Sequence, residues 1–395
     1  MSAAPAAAAR LPASVWAAGS LNFLAGAADN IVLLLVLWAA GPRGWTGSET
    51  ALVVLALRLP TLLTASVAGR AIDRWGARRV AGADLAVRCV ALLLLICAGA
   101  ATGALPLPAV VAAGALCGAT SPASYAAVRW ATPRLVGRGR LGQANIVIGL
   151  SDQLPLLAAG VLVGPSFELL GPVYAVAVPA ALLLPALAVV RRLPAAATAP
   201  SPAGPPHGPR RPPRRVLALI ALSTAYYLLY GPFETVTPAY VRDRLGGDAG
   251  TYGLIWSAFG LGAILSLAAA ARLARRRPGR VNAIGAALWG ATMLPLPIIG
   301  DAGTAAALFL LSGAIWGPYT TIETSALQRW TDPSAHGAVF GLQRGLLATA
   351  APLGAAGGAL LAQVVSPPLV LGASAAACGV AGLAALADRG LRNAA

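Results

Sequence analysis

The sequence predicts an all-α membrane protein of twelve transmembrane helices in two pseudo-twofold six-helix bundles. Three observations carry this: a composition too apolar for water, apolar runs of membrane length, and a repeat relating the two halves. Of 395 residues, 58% are hydrophobic and 11% charged, against roughly 45–50% and 25% in ordinary globular chains. At a mean hydropathy of +0.74 the apolar surface exceeds what one core can hide, so lipid must solvate much of it. That excludes a soluble enzyme. Runs of about twenty residues point to helices, because barrel strands would alternate over about ten.

Taken in order, the first six spans fall at 15–38, 50–71, 80–101, 105–127, 143–164 and 172–190, and the second six at 216–240, 250–271, 281–300, 304–325, 338–361 and 367–387. Span one follows Arg10 and an Ala-rich stretch, yet its full membrane length and Asp29 read as an uncleaved helix rather than a secretory signal. The basic residues, all arginine, give a net charge of +16. They alternate by side. Arg70, Arg74, Arg78 and Arg79 follow span two, Arg129, Arg134, Arg138 and Arg140 follow span four, and Arg272, Arg275, Arg276, Arg277 and Arg280 follow span eight. With Arg10, Arg329, Arg389, Arg392 and the linker, 23 of the 29 arginines lie on one side, and only Arg43, Arg242 and Arg244 on the other. The positive-inside rule then puts both termini in the cytoplasm. This distribution also argues against nucleic acid as the partner of the positive charge.

Residues 1–190 form one expected bundle, 216–395 the other, and 191–215 the linker between them. Rich in Pro, Ala and Gly and carrying Arg191, Arg192, Arg210, Arg211, Arg214 and Arg215, the linker reads as a flexible cytoplasmic tether, with contact to anionic lipid as a secondary role. The halves repeat at near-constant offsets. Arg129, Trp130, Pro133 and Gln143 recur as Arg329, Trp330, Pro333 and Gln343; Gly26 and Asp29 recur as Gly231 and Glu234; Arg74, Arg79 and Val80 recur as Arg275, Arg280 and Val281. A parallel repeat of this kind places a site between the halves.

Between spans two and three the chain runs Gly69, Arg70, Ala71, Ile72, Asp73, Arg74, Trp75, Gly76, Ala77, Arg78, Arg79. This resembles the GxxxDRxGRR loop of the major facilitator superfamily, and with the six-plus-six pattern the resemblance covers essentially the whole chain. Ser121 to Tyr125, then ProArgLeuVal and Gln143, Ala144, Asn145, resemble the drug and macrolide exporter branch. The resemblance implies secondary transport by alternating access, no enzymatic activity and no cofactor. Ala77 departs from the motif where a basic residue is common, and the second copy has Ala274 in place of Asp73. On physical grounds Gly69 and Gly76 permit close helix approach and a tight turn, while Asp73 among Arg70, Arg74, Arg78 and Arg79 can latch the closed cytoplasmic side. The simpler alternative is that the arginines only set topology.

Carboxylates within spans are costly, so each is a candidate for function. Asp29 shares a helix face with Asn22, and Gly26 lies between them. Tyr227, Tyr230 and Glu234 in span seven and Trp316, Tyr319 and Glu323 in span ten both follow the i, i+3, i+7 pattern. In the resembled fold spans one, seven and ten line the central cavity, so Asn22, Asp29, Tyr125, Tyr227, Tyr230, Glu234, Trp316, Tyr319 and Glu323 are the expected substrate contacts. Acid beside aromatic suits a bulky organic cation. Asp29, far in sequence from any arginine of its span, is the expected proton-coupling acid, with Glu234 and Asp152 as further candidates, because burial disfavours a carboxylate anion. A structural helix-to-helix hydrogen bond is the alternative for Asp29, and pairing with Arg58 or Arg344 for Asp152. Asp84 and Arg88, at i and i+4, read as a structural pair.

Cys89, Cys97, Cys117 and Cys378 lie in apolar runs without metal-ligand spacing, and His207 and His336 fall in the linker and a loop. No metal or nucleotide motif is present. The composite expectation is export of a hydrophobic or cationic, drug-like compound in exchange for protons, by a monomeric unit of a bacterial inner membrane whose partners are a small-molecule substrate, protons and the bilayer. Export of one natural product or siderophore, and an uncoupled lipid-handling or sensory role on the same fold, are the alternatives.

Overall fold

The computed structural model describes residues 11–136, 140–193, 212–274, 276–332 and 336–393. Arg10, Arg138, most of the linker with His207, Arg210 and Arg211, and also Arg275 and Pro333, lie outside them. The described residues form α1 (Ala13–Ala40), α2 (Gly47–Trp75), α3 (Ala77–Thr102), α4 (Leu107–Thr120), α5 (Pro122–Leu135), α6 (Leu141–Tyr174) and α7 (Ala177–Val190), followed by α8 (Arg214–Asp243), α9 (Ala249–Ala274), α10 (Pro278–Met293), α11 (Ala302–Trp316), α12 (Tyr319–Trp330), α13 (His336–Leu361), α14 (Pro367–Ala387) and the short α15 (Arg389–Arg392). Ten membrane-length stretches are long and apolar enough to cross a bilayer, and Ala177–Val190 is a shorter apolar helix.

Expected spans and helices agree closely, and proline accounts for most departures. Span four is two helices, α4 and α5, meeting at Ser121 before Pro122, and span ten is α11 and α12, meeting at Gly317 and Pro318. Proline lacks the N–H that would continue the ladder and crowds the preceding turn. Span five was expected to end at 164, but α6 runs on to Tyr174 and changes direction at Gly171, where φ is 72°. Span nine was expected to reach 300; its helix stops at Met293, and Pro295 and Pro297 bring in a short 3-10 turn, Leu296–Ile298. Polar side chains mark the helix starts: Thr46 and Glu49 form a capping box that begins α2. Asp248 and Asp301 lie before α9 and α11 and accept from the amides of Thr251 and Thr304, which holds both carboxyls below the usual range.

Side-chain packing forms two main cores, one within the amino-terminal half and one in the carboxy-terminal half that also takes in Ile31, Leu34, Leu35 and Trp38 of α1 and Ala159 and Val163 of α6 across the seam. Leu21, Val36, Leu85, Leu92 and Leu183 belong to one, contributed by α1, α3 and α7; Tyr226, Phe233, Trp289, Phe309 and Leu371 belong to the other, contributed by α8, α10, α11 and α14. The halves meet through α2 against α13 and α6 against α9. The seam is confined to one side of the membrane. On α2 and α13, Ala51 packs with Ala356 and Ala359, Val54 with Ala355, and Gln363 donates to Ser48. On α6 and α9 backbone approaches backbone: a Cβ on Gly160 would lie 2.5 Å from the Ser257 nitrogen, and one on Gly164 2.7 Å from the Gly250 Cα. Trp38 stacks on Tyr252 at 5.3 Å, Arg242 lies 5.1 Å over the Trp38 ring, and the Gly250 amide donates to Glu168.

Toward the side that carries the termini and the linker, the same helices part. A Cβ on Gly69 of α2, Gly149 of α6, or Gly341 and Gly345 of α13 would meet nothing within 4 Å. The molecule is therefore closed on the side of the 40–47 and 361–367 turns and open on the linker side.

Candidate functional site

The amino-terminal wall of the opening is polar and built from ion pairs. Asn22 and Asp29 share a face of α1, as their spacing predicts, but each is engaged by a different partner. Arg88 of α3, 1% exposed, donates to the Asp29 carboxylate and, at 2.9 Å, to the carbonyl of Ala25. Its other terminal nitrogen lies 3.6 Å from Asp84, whose carboxylate also accepts from the Ser124 amide of α5. One arginine thus serves two acids. The surplus negative charge falls at Asp29, whose side chain is 39% exposed while Asp84 is 0%.

Two turns nearer the open side, Asn22 donates to Ser151 at 2.9 Å and to Asp152 at 2.8 Å. Asp152 is gripped bidentately by Arg129 of α5 at 2.8 and 2.7 Å, and the same guanidinium lies 3.2 Å from the centroid of the Tyr125 ring. Such a fork fixes orientation as well as charge. At the seam itself, Arg58 of α2 reaches Glu234 of α8 at 3.5 Å.

The opposite wall is aromatic. Tyr226, Tyr227, Tyr230, Phe259, Trp316 and Tyr319 interlock with centroids 4.6 to 6.3 Å apart where they meet. Only some of this cluster is accessible: Tyr227 and Trp316 are half-buried, 4.9 Å apart, whereas Tyr230 and Tyr319 are buried. Tyr319 instead contacts Ser223 through its hydroxyl at 3.2 Å. Glu323, one turn along α12, is 0% exposed, and neither carboxyl oxygen completes a hydrogen bond among the described residues.

Several expectations need correction. Asp29 is not isolated from arginine, because α3 delivers Arg88 across the bundle. The pair Asp84 and Arg88 is not private to its own span. Asp152 is paired with Arg129, not with Arg58 or Arg344. Tyr230 of α8 and Tyr319 and Glu323 of α12 are buried in the interior of their bundle, where Tyr230 packs on Phe259 and Trp316 and Tyr319 on Tyr226. Three working arginines, Arg58, Arg88 and Arg129, were missed as site residues. The signals that could have found them are the rarity of Arg58 and Arg88 within apolar runs and the repeat partner of Arg129 at Arg329. Cys97 is exposed on α3, whereas Cys89, Cys117 and Cys378 are buried. Among the described residues no metal-binding cluster occurs.

At the α2–α3 turn, Gly76 has a φ of 84°, a conformation open to glycine and strained for other residues. Gly69 has open space beside it in this conformer, so its expected close approach is not made here. Arg70, Asp73, Arg74, Arg78 and Arg79 are exposed. Asp73 makes no ion pair among the described residues; Arg74 lies over Trp75, and Arg78 donates to the carbonyl of Arg191.

Two helical bundles around a cleft that opens on one side, lined by buried charge on one wall and aromatics on the other, define a multispan membrane protein of the transporter class. The chain belongs to the Major Facilitator Superfamily, whose profile matches residues 18–342. It is 27% identical over 358 residues to the multidrug efflux pump Tap of Mycolicibacterium fortuitum, covering 84% of each chain. Among solved structures it is similar to a mutant form of the nucleoside transporter NupG, with a TM-score of 0.76, 11% identity and 95% and 99% of the two chains covered. It is also similar to a bacterial homologue of the iron transporter ferroportin in an inward-facing state, with a TM-score of 0.72, 16% identity and 95% and 98% covered. At these identities the solved structures speak for the fold alone. The protein is a membrane-spanning transporter, and not an enzyme.

Proposed function

We propose that the protein exports hydrophobic or cationic organic compounds from a bacterial cytoplasm in exchange for protons. Its two bodies, residues 1–190 and 216–395, rock about the cleft on the tether 191–215. The arginine bias supports a cytoplasmic location for the open side, and on this reading the conformer described is the one that loads substrate. The observation that carries the reading is that two acids, Asp29 and Asp84, share one arginine in one half, while Tyr227 and Trp316 form a half-buried aromatic pair in the other. Asp29 and Asp84 together outnumber Arg88, while Asp152 with Arg129 and Glu234 with Arg58 are balanced. A cation entering the cleft therefore finds net negative charge on one wall and the faces of Tyr227 and Trp316 on the other. The similarity to a protein named as a multidrug efflux pump supports the same direction and substrate class.

The test is accumulation of a fluorescent organic cation in a drug-sensitive host at two external pH values. Cells carrying the protein should hold less dye, and a protonophore should raise them to the level of cells without it. Equal accumulation with and without the protein overturns the reading. On the same assay Tyr227→Ala or Trp316→Ala should weaken export of cations roughly 2- to 30-fold more than of neutral compounds, the range that corresponds to about 0.5–2 kcal/mol per cation–π contact. Equal losses for both kinds would remove cation–π attraction from the account.

Asp73 is proposed to act when the cytoplasmic side closes and the basic α2–α3 turn meets the other half. Asp73→Asn should slow turnover and leave substrate affinity unchanged, because it destabilises one conformer and does not touch the cleft. Direct binding of the dye to purified protein, set beside transport rate, checks this; normal turnover in the mutant would rule the latch out.

A further inference from the structure

We propose that Glu323 is the group that binds the transported proton, an inference that rests on the antiport reading above. Five carboxyls lie within the interiors of spans: Asp29, Asp84, Asp152, Glu234 and Glu323. Four have an arginine: Asp29 and Asp84 share Arg88, Asp152 has Arg129 and Glu234 has Arg58. Asp152 and Glu234 are each matched by their own guanidinium, so a proton cycle built on either must first break the pair, and Asp29, which shares Arg88 with Asp84, keeps an ion pair whatever the cleft holds. Glu323 has no such partner among the described residues. It is fully buried, and neither oxygen completes a hydrogen bond among the described residues, although the neutral side chains of Ser223 and Gln343 lie beside it.

Its surroundings are polar without being charged. From α8 it faces Ser223 and Tyr227, from its own helix Tyr319, and from α13 Gln343; α10 contributes Asn282, which donates to the Tyr319 carbonyl. From α9 and α11 no charged group acts on it. Arg344, the residue after Gln343, is exposed and forms no ion pair among the described residues. A carboxylate anion in this setting would carry the cost of desolvation with only the neutral side chains of Ser223 and Gln343 to offset it, so in the substrate-free, open conformer Glu323 holds a proton.

The exchange follows from its neighbours. Tyr227 is shared between the Glu323 environment and the half-exposed aromatic pair with Trp316. A cation seated on that pair brings positive charge to the buried carboxyl and stabilises its anion. The O–H bond then breaks, its proton leaves to the cytoplasm, and the electron pair stays on Glu323 as counter-charge to the cargo. On the other side of the membrane a proton from outside re-forms the O–H bond, and the cation loses its counter-charge and departs. One carboxyl exchanges one proton for one monovalent cation, so transport of such a cation is electroneutral.

The experiment uses the full-length protein in proteoliposomes, with ethidium as the probe, under an imposed pH gradient or an imposed potassium-diffusion potential. For the unmodified protein we expect ethidium to be concentrated by the pH gradient and to be indifferent to the potential. Glu323→Gln should lower pH-driven uptake at least about tenfold, and its ethidium counterflow, weakened by the lost counter-charge, should no longer vary with pH as that of the unmodified protein does. Asp29→Asn should lose affinity in both assays. If the unmodified protein concentrates no ethidium under the pH gradient, the antiport reading falls. If it does and Glu323→Gln does too, the proton site is elsewhere and the antiport reading stands. Counterflow in Glu323→Gln that still varies with pH as in the unmodified protein also overturns the assignment, and its complete loss leaves the decision to the spectroscopic test. Should Glu323→Gln fail to assemble, infrared spectroscopy of the unmodified protein decides. A protonated-carboxyl band that disappears on adding ethidium and persists when ethidium is added to Tyr227→Ala supports the assignment; a band unmoved by ethidium in the unmodified protein overturns it.

Discussion

Arg88→Met is expected to remove most folded protein from the membrane. The guanidinium is buried between Asp29 and Asp84 and also holds the Ala25 carbonyl, so its loss strands two acids and an acceptor. Breaking a buried ion pair by removing one partner costs about 3–5 kcal/mol, since the remaining charge stays desolvated and unpaired. That is a large part of the roughly 5–15 kcal/mol that holds a typical domain together. The measurement is the yield of monodisperse protein in mild detergent and its unfolding temperature. Asp84→Asn placed on top of Arg88→Met should recover part of the loss, because it removes the more deeply buried of the stranded charges. A single mutant as stable as the parent would show that water reaches Arg88 and that the pair is not structural.

Gly160→Leu is expected to drive the protein out of the conformer described here. At this position α6 and α9 touch backbone to backbone, and any side chain collides with Ser257 and with the carbonyl of Gly253. Because the neighbours are main chain they cannot rotate away, and overpacking of this kind costs typically about 1–3 kcal/mol. The contact belongs to the conformer closed on the side of the 40–47 and 361–367 turns, so the penalty falls on one state and shifts the equilibrium by roughly 5- to 150-fold. Spin labels at Ser48 and Gln363, which are hydrogen-bonded across that seam, should report a short distance in the parent and a longer one in the mutant. Gly357→Leu, on the same half of α13 with open space at its Cβ, should leave the distance unchanged. A short distance retained in Gly160→Leu would mean the helices absorb the bulk without parting.

Much of this architecture was legible without coordinates. Spans one, two, three, seven, eight, eleven and twelve need only their apolar length, and the last, 367–387, coincides with α14. Membrane helices are readable because each must satisfy its own backbone hydrogen bonds, so local composition decides the element. The exceptions are positions where backbone geometry is set by neighbours as well as by the chain: proline at 122 and 318 broke spans that hydropathy reads as continuous, and Gly171 turned a helix that hydropathy divides. For the site, the sequence singles out the span acids Asp29, Asp84, Asp152, Glu234 and Glu323 and the aromatics Tyr227 and Trp316, because polar and aromatic residues stand out against an apolar background, while Glu168, in the stretch of α6 beyond the expected span end, escapes it.

Which arginine meets which acid was decided by tertiary structure alone. Sequence proximity pairs Arg88 with Asp84 and leaves Asp29 free, yet α1 and α3 pack so that Arg88 reaches both. The contacts between Arg129 and Asp152, and between Arg58 and Glu234, join helices 23 and 176 positions apart in the chain, a separation over which no periodicity carries information. The burial of Glu323 depends likewise on how α12 rotates after the break at Pro318. Partition into lipid is a sum over residues and can be read from composition. The pairing of charges depends on distances of a few ångströms between helices, and only packing sets those.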